Sequence, residues 1–306
     1  MCKVSFIVPV YNGEKTIERC LESILNQEDV SIDYEVLVVN DGSIDHTIDV
    51  LEKYNEKYKD KIRIINKENG GLSDARNAGM KEAKGNYFIF VDGDDYISTT
   101  LLKDIQQYLM RDFDLVKWSP LWVNDKGEKI KDADKNNYLE TSGEVGFNNL
   151  FGSDVLFTCV WNYAIKRDLM IEFPVGKYHE DFAVMSLIML KAKYFVITGK
   201  VEYYYVQTDS SIMRGNDSKK QLKRLEDILS HYDNIYKESE LLRIRKNTKE
   251  NLRIYITNAL LASMRDLSGE NREFFIKELK KRKIYKNIKC RNIKQLIKRF
   301  LLMIKY

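Results

Sequence analysis

The chain has 306 residues, of which 44% are hydrophobic and 31% are charged, enough apolar material for one large domain with a smaller appendage. The sequence contains no run of about 18 apolar residues, so no membrane-spanning helix is predicted. The N-terminus leads directly into a strand-like segment without a signal-peptide pattern. Its four cysteines, Cys2, Cys20, Cys159 and Cys290, are scattered and stand at no metal or redox spacing. We therefore expect a cytoplasmic protein with reduced cysteines.

The net charge of +4 is unevenly distributed along the chain. Residues 218–306 contain 24 Lys and Arg against 10 Asp and Glu, whereas the preceding part contains 26 basic and 36 acidic residues. An acidic first part and a basic last part indicate two separate tasks within one polypeptide.

Strand-like and helix-like patterns alternate along the first 91 residues. Short β-branched apolar runs at 4–10, 34–40, 62–65 and 87–91 are typical of strands that are buried on both faces. Between them, segments 14–26, 47–58 and 73–83 carry apolar side chains at helical spacing. This alternation predicts βαβ units in an α/β fold with a mainly parallel sheet flanked by helices. The pattern is mixed over 101–206, with a hairpin-like turn at 123–128, and is helical after about residue 217.

Polar and glycine residues follow three of the predicted strands, at 11–13, 41–43 and 92–95. In open α/β sheets, ligands bind at the carboxyl ends of the strands. The three loops are therefore predicted to converge on one crevice.

The third of these loops contains three carboxylates within four residues, Asp92, Asp94 and Asp95. Several carboxylates at the end of a buried strand repel one another unless a cation is present, and their oxygens suit Mg²⁺ or Mn²⁺. The alternative is a solvated turn in which the aspartates cap a helix.

Two further segments offer contacts to a nucleotide. Asp41 can accept a hydrogen bond from the ring N–H of a base, although an Asx-turn or a helix cap, favoured by Ser43 and Asp45, explains it better when the segment is taken alone. The glycine-rich segment 69–79 opens a helix and contains Arg76, whose planar donors suit phosphate.

Together, segments 6–12 with Glu14, 39–43, 69–79 and 91–95 resemble the successive signatures of family 2 inverting glycosyltransferases, in the same order and spacing. The resemblance covers roughly residues 1–215. It implies a GT-A catalytic domain there and says nothing specific about the rest, which charge and helical pattern predict to be a basic helical C-terminal region over 216–306. It also implies a sugar-nucleotide donor, usually UDP-linked, and Mn²⁺ or Mg²⁺ bound through the Asp-x-Asp motif.

The resemblance also implies roles for individual residues. Asp94 and Asp92 would hold the metal, and Asp181, paired with Glu180, would be the general base. Without the earlier segments, that Glu-Asp pair at a helix start would be read as capping. The residues implied to contact the nucleotide or the rest of the donor are Pro9, Val10, Tyr11, Asn12, Glu14, Asp41, Lys67, Ser73, Arg76, Asp92 and Gly93.

Trp161 and His179 are implied on the acceptor side. Trp161 could equally be an ordinary core tryptophan, and His179 a supporting or surface residue rather than a metal ligand. Segment 203–213 resembles the loop that follows the last strand and folds over the donor diphosphate in relatives. Val206 and Gln207 stand where many relatives have arginine, and Arg214 is the nearest substitute.

The last segment has the pattern of a basic amphipathic helix. Its apolar positions are Ile293, Leu296, Ile297, Phe300, Leu301 and Ile304, and its basic positions include Lys294, Lys298, Arg299 and Lys305. Such a helix suits an anionic membrane surface, although docking on this protein or on a second subunit is the alternative. No nucleic-acid-binding motif accompanies the charge, so no nucleic-acid partner is expected.

The sequence therefore predicts a cytoplasmic glycosyltransferase, attached to the membrane surface if the last helix binds lipid rather than protein. By the resemblance, the acceptor is a saccharide or lipid-linked glycan in the synthesis of capsule, teichoic acid or a related surface polysaccharide. A nucleotidyltransferase is the alternative enzyme, but the segment 11–14 lacks the basic glycine-rich loop that such enzymes need. A non-catalytic partner subunit with the same fold is the alternative outside enzymes.

Overall fold

The computed structural model describes residues 3–133, 137–151, 153, 157–207, 218–264 and 267–289. Cys2, Arg214, Cys290 and the predicted amphipathic helix at 293–304 lie outside these ranges.

The first half of the fold consists of parallel strands joined by helices, as the sequence predicted. The strands are β1 (Lys3–Val10), β2 (Asp33–Asp41), β3 (Ile62–Lys67) and β4 (Tyr87–Phe90), in the spatial order β3-β2-β1-β4. The connecting helices are α1 (Ile17–Leu25), α2 (Thr47–Lys57) and α3 (Leu72–Glu82). Helix α1 begins three residues later than predicted because the carbonyl of Gly13 accepts from the amides of Thr16 and Ile17, closing a turn first.

The second half makes the sheet mixed rather than uniformly parallel. Its elements in chain order are β5 (Tyr96–Ile97), α4 (Leu101–Met110), β6 (Leu115–Val123), β7 (Lys129–Lys131), β8 (Leu139–Thr141), α5 (Gly143–Leu150), β9 (Tyr163–Lys166), α6 (Glu180–Lys191) and β10 (Phe195–Val206). Strand β9 runs antiparallel between β4 and β6, while β10 is parallel to β6. The sequence placed Tyr203 in a loop, whereas the structure has it in β10, where it pairs with Ile97 and Pro120. The hairpin turn predicted at 123–128 is confirmed between β6 and β7.

Three helices follow: α7 (Ser218–Leu241), α8 (Lys246–Ala262) and α9 (Gly269–Lys281). They pack on one side of the sheet, where Leu225 of α7, Leu252 of α8 and Phe275 of α9 belong to the same apolar core as Phe88 and Phe195. A second core fills the other side of the sheet. The predicted division at residue 215/216 falls outside the described residues and stays a prediction, but the helices share their core with the sheet.

Among the helices in the described ranges, none is both long enough and apolar enough to cross a lipid bilayer.

Candidate active site

The loops after β1 and β2 are bonded to each other, as their common position at the strand ends predicted. The Asn12 amide donates to Ser43 Oγ at 3.0 Å, and the Asn12 side-chain oxygen accepts from the Ile44 amide at 2.9 Å. Glu14 Oε2 accepts from the His46 amide at 3.1 Å, at the start of α2. The predicted nucleoside-pocket residues Asn12 and Glu14 therefore fix the shape of this crevice wall.

The residues before them lie at the mouth and floor of the same crevice. Pro9 and Val10 are buried, whereas Tyr11 is 51% exposed. A half-exposed ring beside a crevice offers a flat surface on which a planar base can stack.

Asp41 lies at the end of β2 and is only 3% exposed. Its oxygens accept from Lys67 Nζ at 2.6 Å and from the amides of Gly70 and Gly71 at 2.9 and 2.8 Å. A carboxylate has about four acceptor sites, so one remains for a ring N–H. Lys67 also pairs with Asp74 at 2.7 Å, and the β3–α3 loop is thereby held against the end of β2. Ser73, predicted to contact the donor, is 4% exposed in the first turn of α3.

The loop that follows β4 lies against the end of β1. The Gly93 amide donates to the Pro9 carbonyl at 3.2 Å, and a Cβ at Gly93 would lie 3.1 Å from that oxygen. Close approach of the two backbones therefore explains this glycine. The sequence-predicted residues Pro9 and Gly93 are brought together.

The three carboxylates of this loop have different environments. Asp95 is 1% exposed and accepts from Tyr203 Oη and from the Val206 amide, both at 2.7 Å. Burial and then the charges of Asp94 and Asp92 raise the pKa of Asp95. Asp95 therefore fixes the loop to β10, while Asp92 and Asp94 face the crevice.

Asp92 and Asp94 are the two acids of this loop that are not buried, and carboxylate oxygens suit a divalent cation. Asp94 is exposed to the crevice, yet the protein packed around it and then the charge of Asp92 raise its pKa to about 6. This shift indicates negative charge without enough compensation. Among the described residues no three His, Cys, Asp or Glu side chains form a complete metal cage. Mg²⁺ usually binds through one or two carboxylates plus substrate phosphates, so the pair fits that mode.

Arg76 joins the first half of the site to the second. Its guanidinium is 1% exposed and donates from Nη1 to Glu180 Oε1 at 2.9 Å and to Asp181 Oδ1 at 2.7 Å, and from Nη2 to Asp92 Oδ1 at 2.9 Å. Burial alone would lower the Arg76 pKa, but the charges of the three acids outweigh it and raise the pKa, so Arg76 stays a cation. The sequence placed Arg76 at the donor phosphates. In the structure its donors instead engage carboxylates beneath the crevice, because the Glu180–Asp181 pair folds onto α3.

Asp181 is held by two donors from different parts of the chain. Its Oδ1 accepts from Arg76, and its Oδ2 accepts from the Val160 amide at 3.0 Å. Burial raises the pKa of Asp181 above the ordinary carboxyl range, Arg76 opposes the shift, and the nearby charge of Glu180 adds to it. A carboxylate with a raised pKa is a better proton acceptor than an ordinary one.

Trp161 and His179 flank this carboxylate cluster. Trp161 is 5% exposed and stacks on the Tyr203 ring with 4.4 Å between centroids, so its indole packs against β10. His179 precedes α6 in the left-handed conformation, with φ of 61°, and burial lowers its pKa.

Sequence reasoning missed two features of this site. Tyr203 was read as part of a donor-covering loop, but its hydroxyl also accepts from the Asp92 amide at 3.2 Å. The signal was its position in a run of aromatic and β-branched residues, 203–206, which favours a strand. The carboxylate partners of Arg76 lie 104 and 105 residues away in sequence, and no local pattern predicts that pairing.

Comparison with known proteins agrees with this architecture. The model of the family "Glycosyl transferase family 2" matches residues 5–173, more than half of the chain. The chain belongs to glycosyl transferase family 2. The family match ends before Glu180, so the second half of the carboxylate cluster and the helices α7–α9 lie beyond it.

Individual members of the family match a larger part of the chain. The poly(ribitol-phosphate) beta-glucosyltransferase of Bacillus spizizenii is 33% identical over 67% of this chain and 32% of its own length. TarS of Staphylococcus aureus, a poly(ribitol-phosphate) beta-N-acetylglucosaminyltransferase, is 32% identical over 67% of this chain and 35% of its own length. This chain therefore spans about a third of either relative.

Solved structures confirm the GT-A fold. TarS residues 1–349 in complex with UDP-GlcNAc superpose with a TM-score of 0.75 at 22% identity, covering 94% of this chain and 82% of that one. A mannosyltransferase from Pyrobaculum calidifontis, solved with GDP-Man and Mn²⁺, gives a TM-score of 0.55 at 16% identity, covering 98% of this chain and 83% of that one.

Proposed function

We propose that this family 2 protein is an inverting glycosyltransferase that moves a sugar from a UDP-linked donor to a surface-polymer acceptor. The observation that carries the proposal is the buried Arg76, which ties the candidate base Asp181 to Asp92 of the donor loop through one guanidinium. A base and a donor-binding residue that are bonded to the same group keep a fixed distance and orientation during transfer.

The donor would lie along the crevice at the ends of β1, β2 and β4. The exposed ring of Tyr11 offers a stacking surface for the base, and Asp41 retains acceptor capacity for a ring N–H. The complex of TarS with UDP-GlcNAc supports a uridine nucleotide.

Asp94 and Asp92 are the residues that would hold Mn²⁺ or Mg²⁺. When bound, such a cation neutralises the charge that develops on the leaving diphosphate. The Mn²⁺ in the mannosyltransferase of similar fold supports this choice.

Asp181 would act as the general base. Its carboxylate accepts the proton of an acceptor hydroxyl as that oxygen attacks the anomeric carbon from the face opposite the diphosphate. The bond between that carbon and the diphosphate oxygen breaks, and the nucleoside diphosphate leaves with the electron pair. Arg76 and the Val160 amide hold the base in place, and the configuration at the anomeric carbon is inverted.

The acceptor is proposed to be a saccharide or a lipid-linked glycan or polyol-phosphate chain in teichoic acid, capsule or related surface-polymer synthesis. The support is the similarity to two poly(ribitol-phosphate) glycosyltransferases. A cytoplasmic location with peripheral attachment through the C-terminal segment belongs to the same proposal, and its support is the basic excess in residues 218–306.

Replacing the proposed base tests the function directly. We expect Asp181→Asn to lower kcat by about 10²- to 10⁴-fold, with UDP affinity unchanged, because only the proton acceptor is lost. UDP release with UDP-glucose or UDP-GlcNAc and poly(ribitol phosphate) measures the rate, and calorimetry with UDP and Mn²⁺ measures binding. Asp168→Asn, an exposed acid after β9, is the matched control.

Three results would contradict the proposal. Wild-type turnover in Asp181→Asn would remove that residue from the base role. Absence of transfer from every sugar nucleotide by the wild-type protein would favour a non-catalytic subunit, and synthesis of a nucleotide sugar from a nucleoside triphosphate would favour a nucleotidyltransferase.

A further inference from the structure

The segment that leads into the catalytic carboxylates is held by helix α7, which lies outside the part of the chain that the family model matches. The Tyr178 amide donates to Asp227 Oδ2 at 3.1 Å, and the Tyr178 carbonyl accepts from His231 Nε2 at 2.8 Å. Because a carbonyl only accepts, the imidazole must carry its proton on Nε2. Both main-chain groups of one residue are thus bound by side chains one helical turn apart.

Both of these α7 side chains are buried, and each bonds a main-chain group of Tyr178. Asp227 is 3% exposed and His231 is 2% exposed. Asp227 Oδ1 also accepts from Lys223 Nζ at 2.5 Å. Burial lowers the pKa of His231, which keeps the ring neutral and its single N–H committed to the Tyr178 carbonyl. Burying an acid and an imidazole is costly, so a fixed hydrogen-bonding task accounts for them better than general packing.

The backbone next to Tyr178 requires such support. His179 has φ of 61°, a left-handed conformation that a residue with a side chain adopts at a cost of about 1 kcal/mol. Such conformations persist only where the surrounding structure enforces them. Lys177 adds a third bond, from its Nζ to Ser230 Oγ of α7 at 2.6 Å. Glu180 and Asp181, the first two residues of α6, follow this turn directly and meet Arg76.

We propose that Asp227 and His231 are positioning residues that fix the Tyr178–His179 turn and thereby set Asp181 against Arg76 for proton abstraction. The inference rests on the proposed base role of Asp181. It assigns part of the catalytic geometry to the C-terminal helical region, which reaches the base through main-chain groups.

The test separates positioning from folding by comparing substitutions at His231. His231→Phe keeps a ring but removes the N–H donor, and we expect kcat to fall about 10- to 100-fold with the donor KM and UDP affinity unchanged. His231→Gln restores an N–H donor and should recover most of that loss. Tyr232→Phe is the matched control. It removes a buried hydroxyl from the same helix, but that hydroxyl accepts from Asn287 and does not contact the turn, so kcat should equal that of wild type.

Asp227→Asn provides a second variant should His231→Phe fold poorly. It keeps an oxygen for the Tyr178 amide, so it should retain kcat within a few-fold, whereas Asp227→Leu should behave like His231→Phe. Thermal melts of all variants normalise the rates to folded protein. If the folded His231→Phe and Asp227→Leu proteins turn over like wild type, the positioning role is overturned.

A double variant distinguishes this inference from the proposed base role. In an Asp181→Asn background, His231→Phe should cause no further loss of the residual rate, because the group it positions is already removed. A further loss of tenfold or more would show that His231 acts elsewhere and would overturn the inference while leaving the base role intact. If Asp181→Asn alone has wild-type activity, the base role fails, whatever His231 does.

Discussion

One guanidinium neutralises only one of the three acids that surround it. Arg76 has a single positive charge, while Asp92, Glu180 and Asp181 together have three negative charges when ionised. Burial raises the pKa of Asp181, and the negative charges of Glu180 and Asp92 raise it further. Asp181, the proposed base, therefore binds a proton at a pH where an ordinary carboxyl group is still ionised.

The raised pKa of Asp181 predicts how catalysis depends on pH. The Asp181 pKa is raised, so kcat should fall on the acid side at a pH where an ordinary carboxylate is still ionised. Glu180 contributes to the raised value, so Glu180→Gln should lower the Asp181 pKa and move the acid limb of kcat to lower pH. The pH profile of kcat at saturating donor measures this, with the exposed Glu172→Gln as control. An acid limb that stays in place or moves to higher pH contradicts the assignment.

The metal assignment makes a separate residue-scale prediction. Asp94 faces the crevice, while Asp92 shares one oxygen with Arg76, so Asp94→Asn should remove the freer of the two ligands. We expect Mn²⁺ affinity in the presence of UDP to fall by at least about 10- to 100-fold. Titration of Mn²⁺ by calorimetry checks this, with Asp125→Asn on the exposed β6–β7 hairpin as control. Equal Mn²⁺ affinity in wild type and Asp94→Asn would exclude Asp94 as a ligand.

At the scale of elements, β10 anchors the loop after β4, which carries the proposed metal ligands. Tyr203 bonds both the Asp95 carboxylate and the Asp92 amide, and the Val206 amide bonds the other Asp95 oxygen. A loop that carries repelling charges is thereby anchored to a strand in the middle of the core. Rigid anchoring matters because metal ligands bind well only when they are held in place.

Removing the Tyr203 hydroxyl tests that anchor. Tyr203→Phe leaves one buried oxygen of Asp95 without its donor, and we expect a loss of stability of about 1.5–3 kcal/mol. The weaker anchor should also lower Mn²⁺ affinity for the UDP-bound protein. Thermal melts and Mn²⁺ titration measure the two effects. Tyr204→Phe, whose ring stacks on Tyr96 at 4.6 Å, is the control, and the same losses in both variants would contradict the anchor.

The parts of the site that were predictable from the sequence lie on consecutive strand ends. The strand ends at Pro9, Asp41 and Asp92 follow from periodicity, and the parallel topology then brings their loops together. The partners of Arg76 were not predictable, because they depend on how α6 returns to α3 across about a hundred residues. The anchoring role of Asp95 was not predictable either. Among Asp92, Asp94 and Asp95 only its burial distinguishes it from the proposed metal ligands, and burial cannot be read from the sequence.

At the scale of the whole molecule, the excess of basic residues is concentrated in the C-terminal region, and the proposed membrane attachment rests on that region. Replacing Lys294, Lys298, Arg299 and Lys305 with glutamine in the full chain removes four charges near the proposed surface. Each such charge contributes about 1 kcal/mol near anionic lipid, so partitioning to phosphatidylglycerol vesicles should fall by about 100-fold or more. Vesicle flotation measures it, with phosphatidylcholine vesicles and soluble-acceptor turnover as controls. Unchanged binding to the anionic vesicles would favour docking on protein instead.

The contact between α7 and the Tyr178 turn also limits how this chain can be recombined with its relatives. A chimaera joined between β10 and α7 would place a foreign helix against the turn, and the new helix would have to supply an acceptor and a donor at the same two main-chain atoms. If Asp227 and His231 position the base as proposed, exchanging the C-terminal region between relatives also disturbs the chemical step. A chimaera that takes Lys177–His179 and α7 from the same parent avoids that mismatch.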